Sequence, residues 1–134
     1  MTGFSPRVRK LVRTRAGNGY PEQACCEACG VWLGGHGGQI QHRLARGSGG
    51  SKDPVVGSAA NAALMCGTSF AGCHGAAESR DPERGMEARG FVIRHGKGPE
   101  FDPRFVPLVL LGDVRVWLSG DGRYSEDPPA EVAA

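Results

Sequence analysis

The sequence is poor in what usually builds a stable core: among 134 residues there are five Phe, two Trp and two Tyr, against 22 glycines and 9 prolines. Aromatic and branched side chains supply most of the area a small domain buries, so this shortage implies a stabilising device besides burial. Long apolar runs are also missing. The longest, Val106 to Leu111, is interrupted by Pro107 and falls far short of the roughly 20 residues a membrane-spanning helix needs. The first twenty residues carry Arg7, Arg9, Lys10, Arg13 and Arg15 but no apolar stretch that could serve as a signal-peptide core, so a soluble, cytoplasmic protein is expected. A large net charge is absent as well, the formal value being +2. The charge is uneven, however: residues 1–50 hold seven basic and two acidic side chains, and residues 51–134 hold nine and twelve. A basic front half suits a surface that meets a polyanion, and it equally suits a solvated helix face.

The length fits one domain, expected over residues 1–125, with 126–134 a disordered tail. Ser5-Pro6 is a good helix start, Val8, Leu11 and Val12 supply an apolar stripe, and Gly17 and Gly19 stop it, which predicts a helix over 6–16. Gly34 to Gly38 (GGHGG) cannot hold regular structure. Gln39 to Leu44 alternates well enough for a strand with Ile40 inward, and Asn61 to Cys66 reads as a second strand pairing antiparallel to it across a Gly/Ser-rich loop. One or two helical turns are expected over 74–80, a further helix from Asp81-Pro82 to Gly90, and strands at Phe91–Arg94, Val106–Leu111 and Val114–Leu118. Trp32 and Trp117 are expected in the core.

Cys26-x2-Cys29 and Cys66-x6-Cys73 are two close pairs about 40 residues apart, in a chain expected in a reducing compartment. Two thiolate pairs on separate turns can close a zinc tetrahedron, and zinc affinity exceeds what a disulfide contributes; a disulfide pair or unlinked thiols are the competing readings. Cys25 could replace Cys26, but Cys26 makes the tight x2 spacing. Four cysteines leave no open coordination position, so this zinc would be structural and chemistry must come from elsewhere.

Two of the four histidines sit beside the zinc-tied segments, His42 at the end of the first strand and His74 directly after Cys73. A clamp joining residues 26–29 to 66–73 forces the hairpin and the helix starting at His74 into one small volume, where a base, the Asn61 amide and a metal-binding imidazole can converge. His36 and His95 read as exposed loop residues.

The ordered series CEACG, IQHRLARGSGGS and NAALMCGTSFAGCHGAAES resembles the HNH endonucleases, particularly the small ones of actinobacterial phages. The likeness runs from Cys26 to Gly90, about half the chain, with weaker similarity in the basic helix before it and in VWLSGDGRY after it. It implies an α+β fold: a ββα-metal core with structural zinc, an N-terminal helix and C-terminal strands. It also implies metal-dependent hydrolysis of DNA phosphodiesters, with His42 as general base, Asn61 as the asparagine of the motif and His74 as ligand of a catalytic Mg²⁺, Mn²⁺, Ni²⁺ or Zn²⁺. DNA is then the implied partner, with the phage terminase a second one during DNA packaging, and the host cytoplasm the implied location. An imidazole with a reference pKa near 6.5 can take a proton from water at neutral pH, and the ion would stabilise charge on the phosphate and leaving oxygen.

The chain departs from that pattern before the base, where Gln41 replaces the usual Asp or His ligand. A neutral amide oxygen is the poorer donor. Glu78, one helical turn after His74, could face the same ion or simply be a helix-surface glutamate. Strict alternation would point Gln41 and His42 to opposite strand faces. Arg43 and Arg46, beside the base, are expected to grip phosphates in preference to the arginines of the helix. The alternative to a nuclease is a non-catalytic zinc module that binds DNA or a protein partner.

Overall fold

The computed structural model describes residues 3–45 and 53–130. Helix α1 (Pro6–Ala16) forms where the sequence predicts it. Ser5 Oγ accepts a bond from the Val8 amide, Pro6 needs no partner in the first turn, and the Gly17 amide closes the last turn on the Arg13 carbonyl. The strands β1 (Gln39–His42) and β2 (Ala62–Met65) pair antiparallel, with Ile40 opposite Leu64, Gln41 opposite Ala63 and His42 opposite Ala62.

This hairpin is covered on both sides. Opposite residues of an antiparallel pair share a face. Ala62 and Leu64 pack with Val8 and Val12 of α1 and with Phe4, and Ile40 is half-buried there. Ala63 and Met65 belong to a second layer with Cys73, Ala76 and Ala77 of helix α2 (Gly72–Ser79) and with Phe91 and Leu108. Ile40 was expected to be the inward residue of β1, yet Gln41 is the more deeply buried, on the side of the strand that faces the α2 layer, while Gln39 is exposed and Ile40 and His42 are half-buried.

Beyond α2 the expected helix from Asp81 to Gly90 does not form. Arg80 adopts a left-handed conformation that ends α2, and Asp81 Oδ1 caps the amide of Glu83 in a local turn. Residues 82–90 then run as successive turns to Gly90, whose φ of +83° and crowded site explain the glycine: a β-carbon there would lie 2.1 Å from the Pro107 carbonyl oxygen. Phe91–Arg94 is likewise no strand and makes a single bridge, Ile93 with Leu44. A small antiparallel sheet follows, formed by β3 (Leu108–Leu110), β4 (Val114–Leu118) and β5 (Tyr124–Ser125). The β3–β4 turn is built on Gly112 and Asp113, both with positive φ, as a tight hairpin requires. Residues 126–130 carry no regular element; the rest of the expected tail lies outside the described residues. Trp117 is half-buried, its indole N–H donating to the Phe105 carbonyl, whereas Trp32, expected in the core, is exposed. The result is a mixed α/β chain with antiparallel sheets. Among the described residues no helix is long and apolar enough to cross a membrane.

Candidate metal centre and adjoining cleft

The sulfurs of Cys26, Cys29, Cys66 and Cys73 all lie within 4.8 Å of one another. They come from three local devices. Cys26 and Cys29 flank a tight turn closed by the Gly30 amide on the Cys26 carbonyl, Cys66 directly follows β2, and Cys73 is in the first turn of α2. A tetrahedron with zinc–sulfur arms of about 2.3 Å has sulfur–sulfur edges of about 3.8 Å, and the Cys29–Cys66 separation is 3.7 Å. Amide hydrogens already point at the sulfurs: Cys29 and Cys66 donate to Cys26 Sγ at 3.4 and 3.3 Å, Cys73 donates to Cys66 Sγ at 3.4 Å, and Arg84 Nη2 donates to Cys73 Sγ at 3.1 Å. Donors aimed at sulfur favour thiolates and are the outer-shell support of a metal site. Burial, and after it the nearby Cys26 charge, push the Cys73 thiol well up, so a cation at the centre is what lets all four ionise together. These four residues fit a metal such as zinc. Cys25 takes no part; its thiol donates to the Gln23 carbonyl at 3.5 Å.

A buried ion pair ties this centre to the rest of the chain, and the sequence reading missed it. Arg15 forks onto Glu27, with Nη2 to Oε1 at 2.7 Å and Nε to Oε2 at 3.0 Å, both side chains about 1% exposed. Arg15 also donates to the carbonyls of Ala59 and Ala62, while Glu27 accepts from the Leu64 amide and from the Tyr124 hydroxyl. One carboxylate thus joins α1, the Cys26–Cys29 turn, β2 and β5. A signal was present: Arg15 continues the buried Val8–Val12 stripe at helical spacing. Removing one partner would strand the other charge in a dry site, so Glu27→Gln is expected to lower unfolding free energy by about 3–5 kcal/mol in urea titration. A loss under about 1 kcal/mol would mean that water reaches Arg15.

The residues predicted to carry chemistry divide between two sides of the hairpin. Gln41 and His74 lie on the α2 side. Among the described residues, the only buried side-chain polar atoms without a hydrogen-bond partner are Gln41 Oε1 and His74 Nδ1. The backbone amide of His74 is held by the Cys66 carbonyl at 2.9 Å, which fixes it to the cysteine cluster, and Glu78 Oε1 stands 3.9 Å from His74 Nε2, too far for a hydrogen bond. His42 lies on the α1 side. Its ring stacks on Phe4 with centroids 4.0 Å apart, and it lines a cleft of about 370 Å³ together with Arg9, Arg13, His36 and Gln39. The alternation anticipated from the strand period therefore holds, and Gln41 and His42 occupy opposite faces of β1.

Asn61 is fully buried, and its amide is committed to backbone: Oδ1 accepts from the Leu44 amide at 2.7 Å, and Nδ2 donates to the carbonyls of Leu44 and Val56. It pins the exit of β1 to the entry of β2 and positions the hairpin from a place that no substrate can touch. Arg43 requires a correction. It was expected to grip phosphates, but it is 1% exposed and donates to four carbonyls, those of Gly90, Ala60, Pro103 and Val106, at 2.7–2.9 Å. Burial, then the charge of Arg15, bring its pKa down to about 9, which keeps it protonated at neutral pH. It is an internal tie between segments far apart in sequence. Arg46 lies outside the described residues. Among the described residues of the first half, the exposed basic side chains lie on α1, and Arg9 and Arg13 of that helix, not Arg43, share the cleft with His42. His36 and His95 are exposed, as expected.

No protein-family model, no curated protein and no solved structure matches this chain.

Proposed function

We propose that the protein is a metal-dependent endonuclease of the HNH type, hydrolysing DNA phosphodiesters from a hairpin-and-helix unit braced by a four-cysteine zinc. One observation carries the reading. Gln41, at the position where the resemblance expects a metal ligand, and His74, the ligand it expects, own the two buried side-chain polar atoms left without partners among the described residues. Leaving such atoms unpaired costs about 1–3 kcal/mol each, a cost that a bound cation would remove. The donor set, an amide oxygen and an imidazole nitrogen, suits a divalent first-row ion or Mg²⁺ with water completing the shell. When bound, that ion supplies charge stabilisation at the phosphate and leaving oxygen. His42, one residue along, takes the proton from the attacking water at the strand end, where the cleft opens; Asn61 holds that end in place.

The opposite facing of Gln41 and His42 favours a second reading, a zinc module that binds DNA without cutting it. Supercoiled plasmid separates the two. Zinc-loaded protein given Mg²⁺, Mn²⁺, Ni²⁺ or additional Zn²⁺ should nick it; plasmid that stays intact with every metal, yet is retarded in a gel, supports the binding module.

Gln41 should limit affinity for the second ion, because its amide supplies a dipole where a carboxylate or imidazole would bind harder. Gln41→His or Gln41→Asp is expected to lower the metal concentration for half-maximal cleavage about tenfold, near 1.4 kcal/mol. The histidine variant should favour Ni²⁺ or Zn²⁺ and the aspartate variant Mg²⁺ or Mn²⁺. An unmoved metal titration in both would take Gln41 out of the site.

A further inference from the structure

The cleft between α1 and the start of the hairpin gathers basic side chains on its walls. Arg9 and Arg13 line it with the imidazoles of His36 and His42, and no carboxylate lines it. Helix α1 carries no acidic residue along its whole length. Arg9 and Arg13 are four apart, so they project from one face of the helix, where like charges repel and weaken an isolated helix by a few tenths of a kcal/mol. Arg15, Arg94, Arg104 and Arg123 have carboxylate partners, and Arg43 has its carbonyls, but among the described residues neither Arg9 nor Arg13 is in an ion pair, and of the basic residues of α1 these two line the cleft.

Both guanidinium groups are nevertheless placed. A β-carbon on Gly3 would lie 2.9 Å from Arg9 Nη2, so that group rests against the segment preceding the helix, and Arg13 Nη1 leans on the Gly34 carbonyl at 3.4 Å, at the edge of the glycine loop that carries His36. An arginine pair held on one side of a cleft that no carboxylate lines matches an anion with several oxygens.

We infer that this cleft is a phosphodiester-binding site, with Arg9 and Arg13 gripping the backbone of a nucleic-acid strand. The choice of a nucleic acid over an acidic peptide rests on the nuclease reading and on a lining more polar than apolar, in which Arg9 and Arg13 stand beside His36, Gln39 and His42.

The test is binding without cleavage. Zinc-loaded protein with no added divalent ion is titrated into a fluorescein-labelled DNA duplex of mixed sequence, by anisotropy, over a series of salt concentrations. The double variant Arg9→Gln/Arg13→Gln is compared with Arg7→Gln/Lys10→Gln, which removes the same charge from parts of α1 outside the cleft. Each phosphate contact contributes about 0.9 to the slope of log K against log salt, so the cleft variant should lose about 2 in slope. Its affinity should fall about 100-fold, roughly tenfold per arginine, with an unchanged circular dichroism spectrum. The control variant should lose clearly less of both. Equal losses in the two variants would show unlocalised attraction and overturn the inference, as would binding of labelled poly-glutamate by a protein that does not bind the duplex. Arg9- and Arg13-dependent binding without nicking under any metal would leave this site standing and remove the nuclease reading, whereas nicking with full affinity in the cleft variant would do the reverse.

Discussion

Cys73→Ser, or treatment of the wild type with a strong chelator, is expected to unfold the protein at room temperature. The α2 layer of the core meets at the cysteines: Cys26 and Cys73 are almost fully buried among Ala63, Met65, Ala76 and Phe91, so a metal held by them would be the junction between the turn at 26–29, β2 and α2. Zinc held by four thiolates contributes on the order of 10–16 kcal/mol, which equals or exceeds the roughly 5–15 kcal/mol net stability of a typical domain. With so few large apolar side chains in the chain, little would remain to offset chain entropy. Elemental analysis of folded protein should give one zinc per chain, and far-ultraviolet circular dichroism should collapse on chelation. A thermal transition indifferent both to the chelator and to Cys73→Ser would show that the four thiols merely pack together.

The second large effect is on rate. His42→Ala should reduce plasmid cleavage by about 10²–10⁴-fold, the usual contribution of a general base. Folding should suffer little: the ring is partly exposed, and its stacking on Phe4 is worth about 0.5–1.5 kcal/mol, which predicts a drop of a few degrees in melting temperature. His74→Ala should act differently, shifting the metal titration before it limits the rate at saturating metal. Near-normal cleavage by His42→Ala would move the base elsewhere on the hairpin or remove catalysis from this end of β1.

What the sequence makes legible is local. Ser5-Pro6 and the Val8–Val12 stripe define α1 because capping and helical period act within a few residues. The paired cysteines foretell their own meeting because a tetrahedral ion dictates which spacings can close around it. The partners of buried charge are not local. Arg43 looks like a surface arginine beside a base, and only the folded chain brings the carbonyls of residues 60, 90, 103 and 106 around it. Glu27 similarly reads as a spacer between two ligands, although it is the acceptor for α1, β2 and β5 together. The false helix at 81–90 has a related cause: Asp81-Pro82 and a closing Gly90 are helix signals, but Gly85 takes a positive φ within the segment and Gly90 passes tightly against Pro107.

The same distinction marks the metal proposal. Gln41 and His74 are 33 residues apart in the chain, and what they share in the fold is the α2 side of the hairpin and one unpaired buried atom each. Anomalous diffraction from crystals of zinc-loaded protein soaked in Mn²⁺ tests that link most directly. The account predicts a zinc peak among the four cysteines and a separate manganese peak within coordination distance of Gln41 Oε1 and His74 Nδ1. Manganese density confined to the cysteine cluster or the protein surface, with Gln41 and His74 unligated at saturating Mn²⁺, would contradict it.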